Sequence, residues 1–230
     1  MNKIFQLNLK FNYNNTEQVI HPVILKDSDS MVLVDCGYPE FLPLIEEAMN
    51  KEGLDCNNLT HVVITHQDYD HMGSLSKLKS KYPNIKVVAG EMEAPYITGQ
   101  LKSLRLEQAE IMQETLPLEQ KPFGEAFCRM LQSVETANVD ILVKDGDWFD
   151  WCGGCLIIST PGHTPGHISL YIKSEKTIIT GDAATLENDK LVIANPQFTL
   201  DIENAIKSLD KILNTDALHF ISYHGGSYVR

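Results

Sequence analysis

The stretch His61-Val62-Val63-Ile64-Thr65-His66-Gln67-Asp68-Tyr69-Asp70-His71 decides how this 230-residue chain is read. Its first four residues form a mainly apolar run suited to a buried strand. Directly behind it, the six residues His66 to His71 hold two imidazoles and two carboxylates. Groups this dense in a partly buried cleft repel or strand one another, and a divalent cation is the usual remedy. The plainer alternative is a solvated helix start in which Asp68 and Asp70 merely favour the N-terminus.

Three distant segments repeat the arrangement. Thr160-Pro161-Gly162-His163-Thr164-Pro165-Gly166-His167 follows the apolar Leu156-Ile157-Ile158, and its glycines and prolines mark a loop. Thr180-Gly181-Asp182 ends the run Thr177-Ile178-Ile179, and Tyr223-His224-Gly225-Gly226 follows Phe220-Ile221. Each segment starts where a predicted strand stops, which is where open α/β sheets place ligands and reactive groups.

With Val34-Asp35-Cys36-Gly37 as a first motif, residues 65–71 as a second, His163 as a third, Asp182 as a fourth and His224 as a fifth, the ordered set resembles the metallo-β-lactamase superfamily of hydrolases from about residue 20 to 226. The branch it is most similar to is that of glyoxalase II and the lactonases. The resemblance implies an α/β fold, a four-layer αββα sandwich with a helical insertion. It also implies that His66, Asp68 and His163 hold one metal ion, that Asp70, His71 and His224 hold a second, and that Asp182 bridges them. One position departs from the pattern: the commonest second motif is H-x-H-x-D-H, whereas here Asp68 stands in the slot of the second histidine. A carboxylate there makes the first position harder and richer in oxygen, moving preference from zinc toward manganese or iron without excluding zinc, and a loss of affinity at Asp68 would leave a one-metal site instead.

Two divalent ions balance three carboxylates and one bridging hydroxide, and such a hydroxide would attack a small ester, thioester or lactone. Asp70 and Asp182 are the catalytic candidates, with a protonated Asp70 or the hydroxyl of Tyr69 or Tyr223 as the group that serves the leaving atom. Asp35 matches a supporting position and would orient a ligand imidazole, the alternative being a strand-end turn residue in Asp-Cys-Gly, and His167 reads as a hydrogen-bonding support in preference to a ligand. His21, His61 and His219 read as ordinary strand residues.

Composition agrees with one domain over residues 1–230, since 43% of the residues are hydrophobic. The formal net charge of −12 argues against a general affinity for nucleic acid or anionic membranes. No apolar stretch approaches the roughly 20 residues needed to cross a bilayer, and the N-terminus shows no signal peptide, so a cytoplasmic location is expected. The five cysteines at irregular spacing do not form a disulfide framework, and Cys152-Gly153-Gly154-Cys155 reads as a hairpin turn.

Predicted strands cover residues 3–9, 19–26, 31–35, 61–65 and 85–89, with helices from Pro39 to Lys51 and from Gly73 to Lys81. A strand-rich second half closes with a helix over 201–213 and a last strand over 218–222. Residues 91–139 differ: rich in helix formers and punctuated by Pro95, Pro117 and Pro122, they are expected to form a helical cap beside the metals, a cover for the sheet, or the surface of a homodimer. Met92, Tyr96, Met112, Phe123, Phe127 and Met130 are its pocket candidates. The competing functions are phosphodiester or nucleic-acid cleavage, which needs a basic track, a non-catalytic ligand-binding protein, and iron-dependent redox chemistry.

Overall fold

Several strands carry apolar residues on both faces, with β-branched side chains at successive positions, and such strands belong in sheets covered on both sides. The computed structural model describes residues 2–13 and 15–230. Its first half runs β1 (Lys3–Gln6), β2 (Leu9–Tyr13), β3 (Thr16–Ile20), β4 (Val23–Lys26), β5 (Met31–Val34), α1 (Leu42–Lys51), β6 (His61–Ile64), α2 (Tyr69–Met72), α3 (Leu75–Lys81) and β7 (Lys86–Gly90). Three helices, α4 (Ala94–Ile97), α5 (Leu104–Thr115) and α6 (Lys121–Gln132), then lead to β8 (Ile141–Val143). The second half holds β9 (Trp148–Phe149), β10 (Cys155–Ser159), β11 (Ile168–Ile172), β12 (Thr177–Gly181), β13 (Thr185–Glu187), β14 (Lys190–Val192), α7 (Ile202–Leu213), β15 (His219–Ser222) and β16 (Gly226–Val229).

Each half makes a six-stranded sheet, in the orders β1-β4-β5-β6-β7-β8 and β16-β15-β12-β11-β10-β9. Pairing is parallel from β5 to β8 and between β12 and β15. Parallel neighbours need crossovers, and helices supply them. Alternation along the strands sorts the side chains into layers. Val32, Val34, Val63 and Val88 meet Ile157, Leu170, Ile179 and Ile221 between the sheets. Leu33, Val62, Ile64 and Val87 face outward to Ile45 and Met49 of α1 and Leu75 and Leu78 of α3. Ile158, Ile178 and Phe220 face outward to Ile212 of α7. Helix, sheet, sheet, helix is the αββα order.

Several boundaries differ from the sequence reading. The expected strand over 19–26 is two, because Pro22 falls between β3 and β4. Helix α1 starts at Leu42, with Pro43 in its first turn, because Glu40 at φ +68° is not helical. A final strand, β16, follows the segment read as the last one. The Cys152 to Cys155 stretch does join antiparallel β9 and β10, and all five cysteines are free and buried. Among the described residues no helix is long and apolar enough to cross a membrane.

Gly73, between α2 and α3, holds the His71 segment against the Pro39 turn. A Cβ there would lie 2.3 Å from both the Pro39 nitrogen and the Tyr69 carbonyl oxygen, and neither backbone atom can yield cheaply. Gly73→Ala should therefore lower stability by about 2 kcal/mol or more. A urea midpoint equal to that of the wild type would contradict this packing.

Candidate metal centre

The seven candidate side chains come from strand ends of both sheets and meet in one cluster. The loop after β6 delivers His66 and Asp68, the short helix α2 that follows it delivers Asp70 and His71, the β10–β11 loop delivers His163, and the segments just past β12 and β15 deliver Asp182 and His224. Three sets, His66 with Asp68 and His163, His66 with His71 and Asp182, and Asp70 with His71 and His224, each keep their ligand atoms within 4.8 Å of one another. Asp182 faces both ways: Oδ2 lies 3.5 Å from His163 Nε2, while Oδ1 lies 3.3 Å from His71 Nε2 and 3.7 Å from His224 Nε2. Asp68 Oδ2 stands 3.0 Å from His163 Nε2 and 3.5 Å from His66 Nε2, and Asp70 Oδ2 stands 3.2 Å from His224 Nε2.

Two observations show that this donor set fits a metal. His66 Nε2 and His71 Nε2 are buried, face the cluster and have no hydrogen-bond partner among the described residues, a state that a native interior seldom leaves unexplained. Charge tells the same story. Burial pulls the His71 imidazole toward neutrality, but Asp182, Asp35 and Asp70 outweigh it and hold its pKa well above the usual histidine range. Burial likewise pushes the Asp182 carboxyl up, yet His224 and His71 keep it well below the usual carboxylate range. The cluster attracts positive charge, and mixed imidazole and carboxylate donors suit a divalent metal ion.

Surrounding residues orient the donors. Asp35, itself at φ +61°, accepts hydrogen bonds from the Thr65 N–H and hydroxyl at 2.8 Å and lies 2.9 Å from His71 Nδ1. An Nδ1–H donated to Asp35 leaves the Nε2 lone pair turned to the cluster. His167 Nε2 accepts from the Asp182 N–H at 2.9 Å, and Nδ1 lies 2.8 Å from the Thr160 hydroxyl. Gly181 is needed beside it, since a Cβ there would stand 2.7 Å from His167 Nε2 and φ is +52°. Tyr223 is buried, its ring centroid 3.9 Å from that of His71, and its hydroxyl donates to the Asp70 carbonyl at 2.6 Å. That commitment removes it as a proton donor to a leaving group. His61 lies against Trp151, and His21 contacts Gln6 and the Leu7 carbonyl, so both serve the strands.

Two residues of the 91–139 segment enter the site without having been singled out for it. Glu93 is buried and accepts from the Gln67 N–H, the Thr164 hydroxyl and the Gly166 N–H, each at 2.8 Å, so it ties the second-motif loop to the third. It follows the end of β7, and the strand-end rule applied there would have found it. Arg105 of α5 is buried and ion-paired with Asp68, Nη2 lying 2.5 Å from Oδ2. Nothing in its local sequence marks it.

Beside the cluster opens a cavity of about 710 Å³. Ala109, Met112, Leu116, Phe123 and Phe127 from α5, α6 and their connection line one side, and Tyr69, Asp70 and Asp182 line the floor. Met92 and Met130 do not line it, and Tyr96 belongs to a second, smaller cavity.

Comparison with known proteins agrees with this geometry. Residues 17–221 match the family described as the metallo-beta-lactamase superfamily. The chain belongs to that superfamily. A probable metallo-hydrolase of Bacillus subtilis, YflN, is 27% identical over 210 residues, covering 85% of this chain and 75% of that protein. A hydroxyacylglutathione hydrolase of Nitrobacter hamburgensis is 28% identical over 157 residues, covering 67% of this chain and 43% of the relative. In fold, a metallo-beta-lactamase family protein from Thermus thermophilus superposes with a TM-score of 0.77 at 19% identity, covering 98% of this chain and 74% of that one. This member of the superfamily is a metal-dependent hydrolase.

Burial pushes the Glu93 carboxyl up to about 7, against the three hydrogen bonds that favour its charged form. The folded protein thus keeps this proton to higher pH than the unfolded chain, whose carboxyl titrates near 4.5. The contribution is fully present below the unfolded value and is lost as pH rises through about 7. Relative to Glu93→Gln, wild-type stability should fall by a few kcal/mol between the two values, as read from urea midpoints across that range. Parallel profiles for the two proteins would contradict it.

Proposed function

We propose that the protein hydrolyses a small ester, thioester or lactone at a dinuclear centre. His66, Asp68 and His163 would hold one divalent ion, Asp70, His71 and His224 the other, and Asp182 would lie between. The observation that carries this reading is the divided aim of the Asp182 carboxylate, one oxygen toward His163 and the other toward His71 and His224. A divalent metal held by these residues would supply Lewis acidity and make water a stronger acid. The chain's own part is orientation. Asp35 holds His71, His167 holds the Asp182 backbone, and Tyr223 fixes the Asp70 carbonyl, so the donors face one another without reorganising.

The cavity supports the substrate class. An apolar wall from Ala109 to Phe127 faces the metal cluster and suits an acyl group, with residues 91–139 acting as a cap of the single domain. The hydroxyacylglutathione hydrolase relative is named for a thioester substrate, which fits the same wall. A polyanion fits worse. Among the described residues lining the cavity, Arg105 is the one lysine or arginine, and it is already committed to Asp68, whereas Asp68, Asp70, Asp182 and Glu187 all lie there. The phosphodiester reading therefore ranks second, and a small molecule is the expected partner.

His71→Ala and Asp182→Ala should each remove metal and activity together while the circular dichroism spectrum stays that of a folded protein. Two metal equivalents retained in either variant, by elemental analysis, would sink the ligand assignment. Reconstitution with zinc, manganese or iron against ester, thioester, lactone and phosphodiester panels should give turnover with the acyl compounds. Turnover confined to phosphodiesters would reverse the ranking.

A further inference from the structure

Within the cluster, Arg105 puts a fixed positive charge where the first set of donors expects a cation. Nη2 lies 2.5 Å from Asp68 Oδ2, Nε lies 3.2 Å from the same oxygen, and Nη2 lies 3.4 Å from His163 Nε2. That oxygen is also the one facing His66 and His163. The guanidinium therefore stands against both a carboxylate oxygen and an imidazole nitrogen of the first set. It is not a mobile surface group. The residue is buried, Nη2 donates to the Phe198 carbonyl at 2.7 Å, Nη1 donates to Gln108, and Cζ sits 5.2 Å from the Phe198 ring centroid.

The second set has no such cation. Asp70, His71 and His224 are backed by Asp35 and flanked by Asp182, and no lysine or arginine contacts them among the described residues. Charge balance follows. With Asp68 neutralised by Arg105, the remaining carboxylates Asp70 and Asp182 match one divalent ion. A second ion must enter beside a like charge and share Asp68 with it.

We propose that Arg105 makes the centre unequal: one divalent ion binds tightly at Asp70, His71 and His224 with Asp182, and the guanidinium weakens the set of His66, Asp68 and His163 for a second. This rests on the metal-centre reading above. Arg105 is a positioning residue in this scheme, acting through Asp68, and it sets the metal concentration at which the second ion joins.

The test is the stepwise affinity for zinc and for manganese, measured on the full chain by chelator competition with native mass spectrometry to count ions. Wild type should bind one equivalent at least about 100-fold more tightly than the second. Arg105→Met, which keeps the apolar stem and removes the charge, should narrow that gap by about 10-fold or more, whereas Arg105→Lys should keep most of it. His224→Ala should abolish the tight equivalent, and His163→Ala should abolish only the weak one. These two variants decide the matter should Arg105→Met fail to fold. Equal steps in wild type, an unchanged gap in folded Arg105→Met, or loss of the tight ion in His163→Ala would each overturn the proposal. Wild type that binds neither metal would instead sink the metal-centre reading itself, so the two failures are distinguishable.

Discussion

The cost of burying Asp68, Asp70 and Asp182 together is the constraint on which the rest of this structure depends. Three carboxylates that close repel one another, and a low-dielectric interior would force protons onto them unless cations or donors intervene. Here they are met by four imidazoles, one guanidinium and the backbone of neighbouring loops. Those partners arrive from both halves of the chain, so the cluster is also what joins the halves at their strand ends. Apolar packing between the sheets, from Val34 and Val63 to Ile179 and Ile221, sets the distance at which the two groups of loops meet.

The helices between β7 and β8 are tied into that centre. Glu93 stands at their start and clamps the Gln67 and Thr164 loops, while Arg105 reaches Asp68 from the first turn of α5. The same α5 contributes Ala109 and Met112 to the cavity wall. A shift of this segment therefore changes the pocket and the charge at Asp68 at once. Leu106, Ala109, Cys128 and Leu131 bind α5 to α6, so the wall moves as a pair of helices.

What was legible in the sequence was local. A short apolar run followed by His, Asp or Gly specifies a strand end that carries a polar group, and β6, β10, β12 and β15 all obey that rule. Asp35 and His167 were legible as supports for the same reason. Pro22 cannot donate to a ladder, and it divides the apolar run over 19–26 into β3 and β4. Tyr223 stands next to the candidate ligand His224 in sequence, but its direction depends on the Asp70 carbonyl, 153 residues away in sequence. Glu93 lies just past the end of β7, where the strand-end rule would look, whereas Arg105 is invisible as a member of the site because its partner is long-range and its neighbours are ordinary helix formers. No periodicity records which residue of an amphipathic helix turns inward to a charge.

Asp68 and Arg105 explain each other. A neutral imidazole in the Asp68 slot, as in the commoner second motif, would leave the guanidinium buried without a counter-charge, and an unpaired buried cation costs several kcal/mol. An Asp68 carboxylate without Arg105 would in turn add a third negative charge, left to the imidazoles of His66 and His163 or to metal. Together they form a pair that stays ionised: burial raises the Asp68 carboxyl, but the Arg105 charge and the bonds to His163 and His66 hold it well below the usual range. The departure from the common motif is therefore not an isolated substitution at one ligand position. It is one half of an ion pair whose other half lies 37 residues further along, in the segment that shapes the pocket.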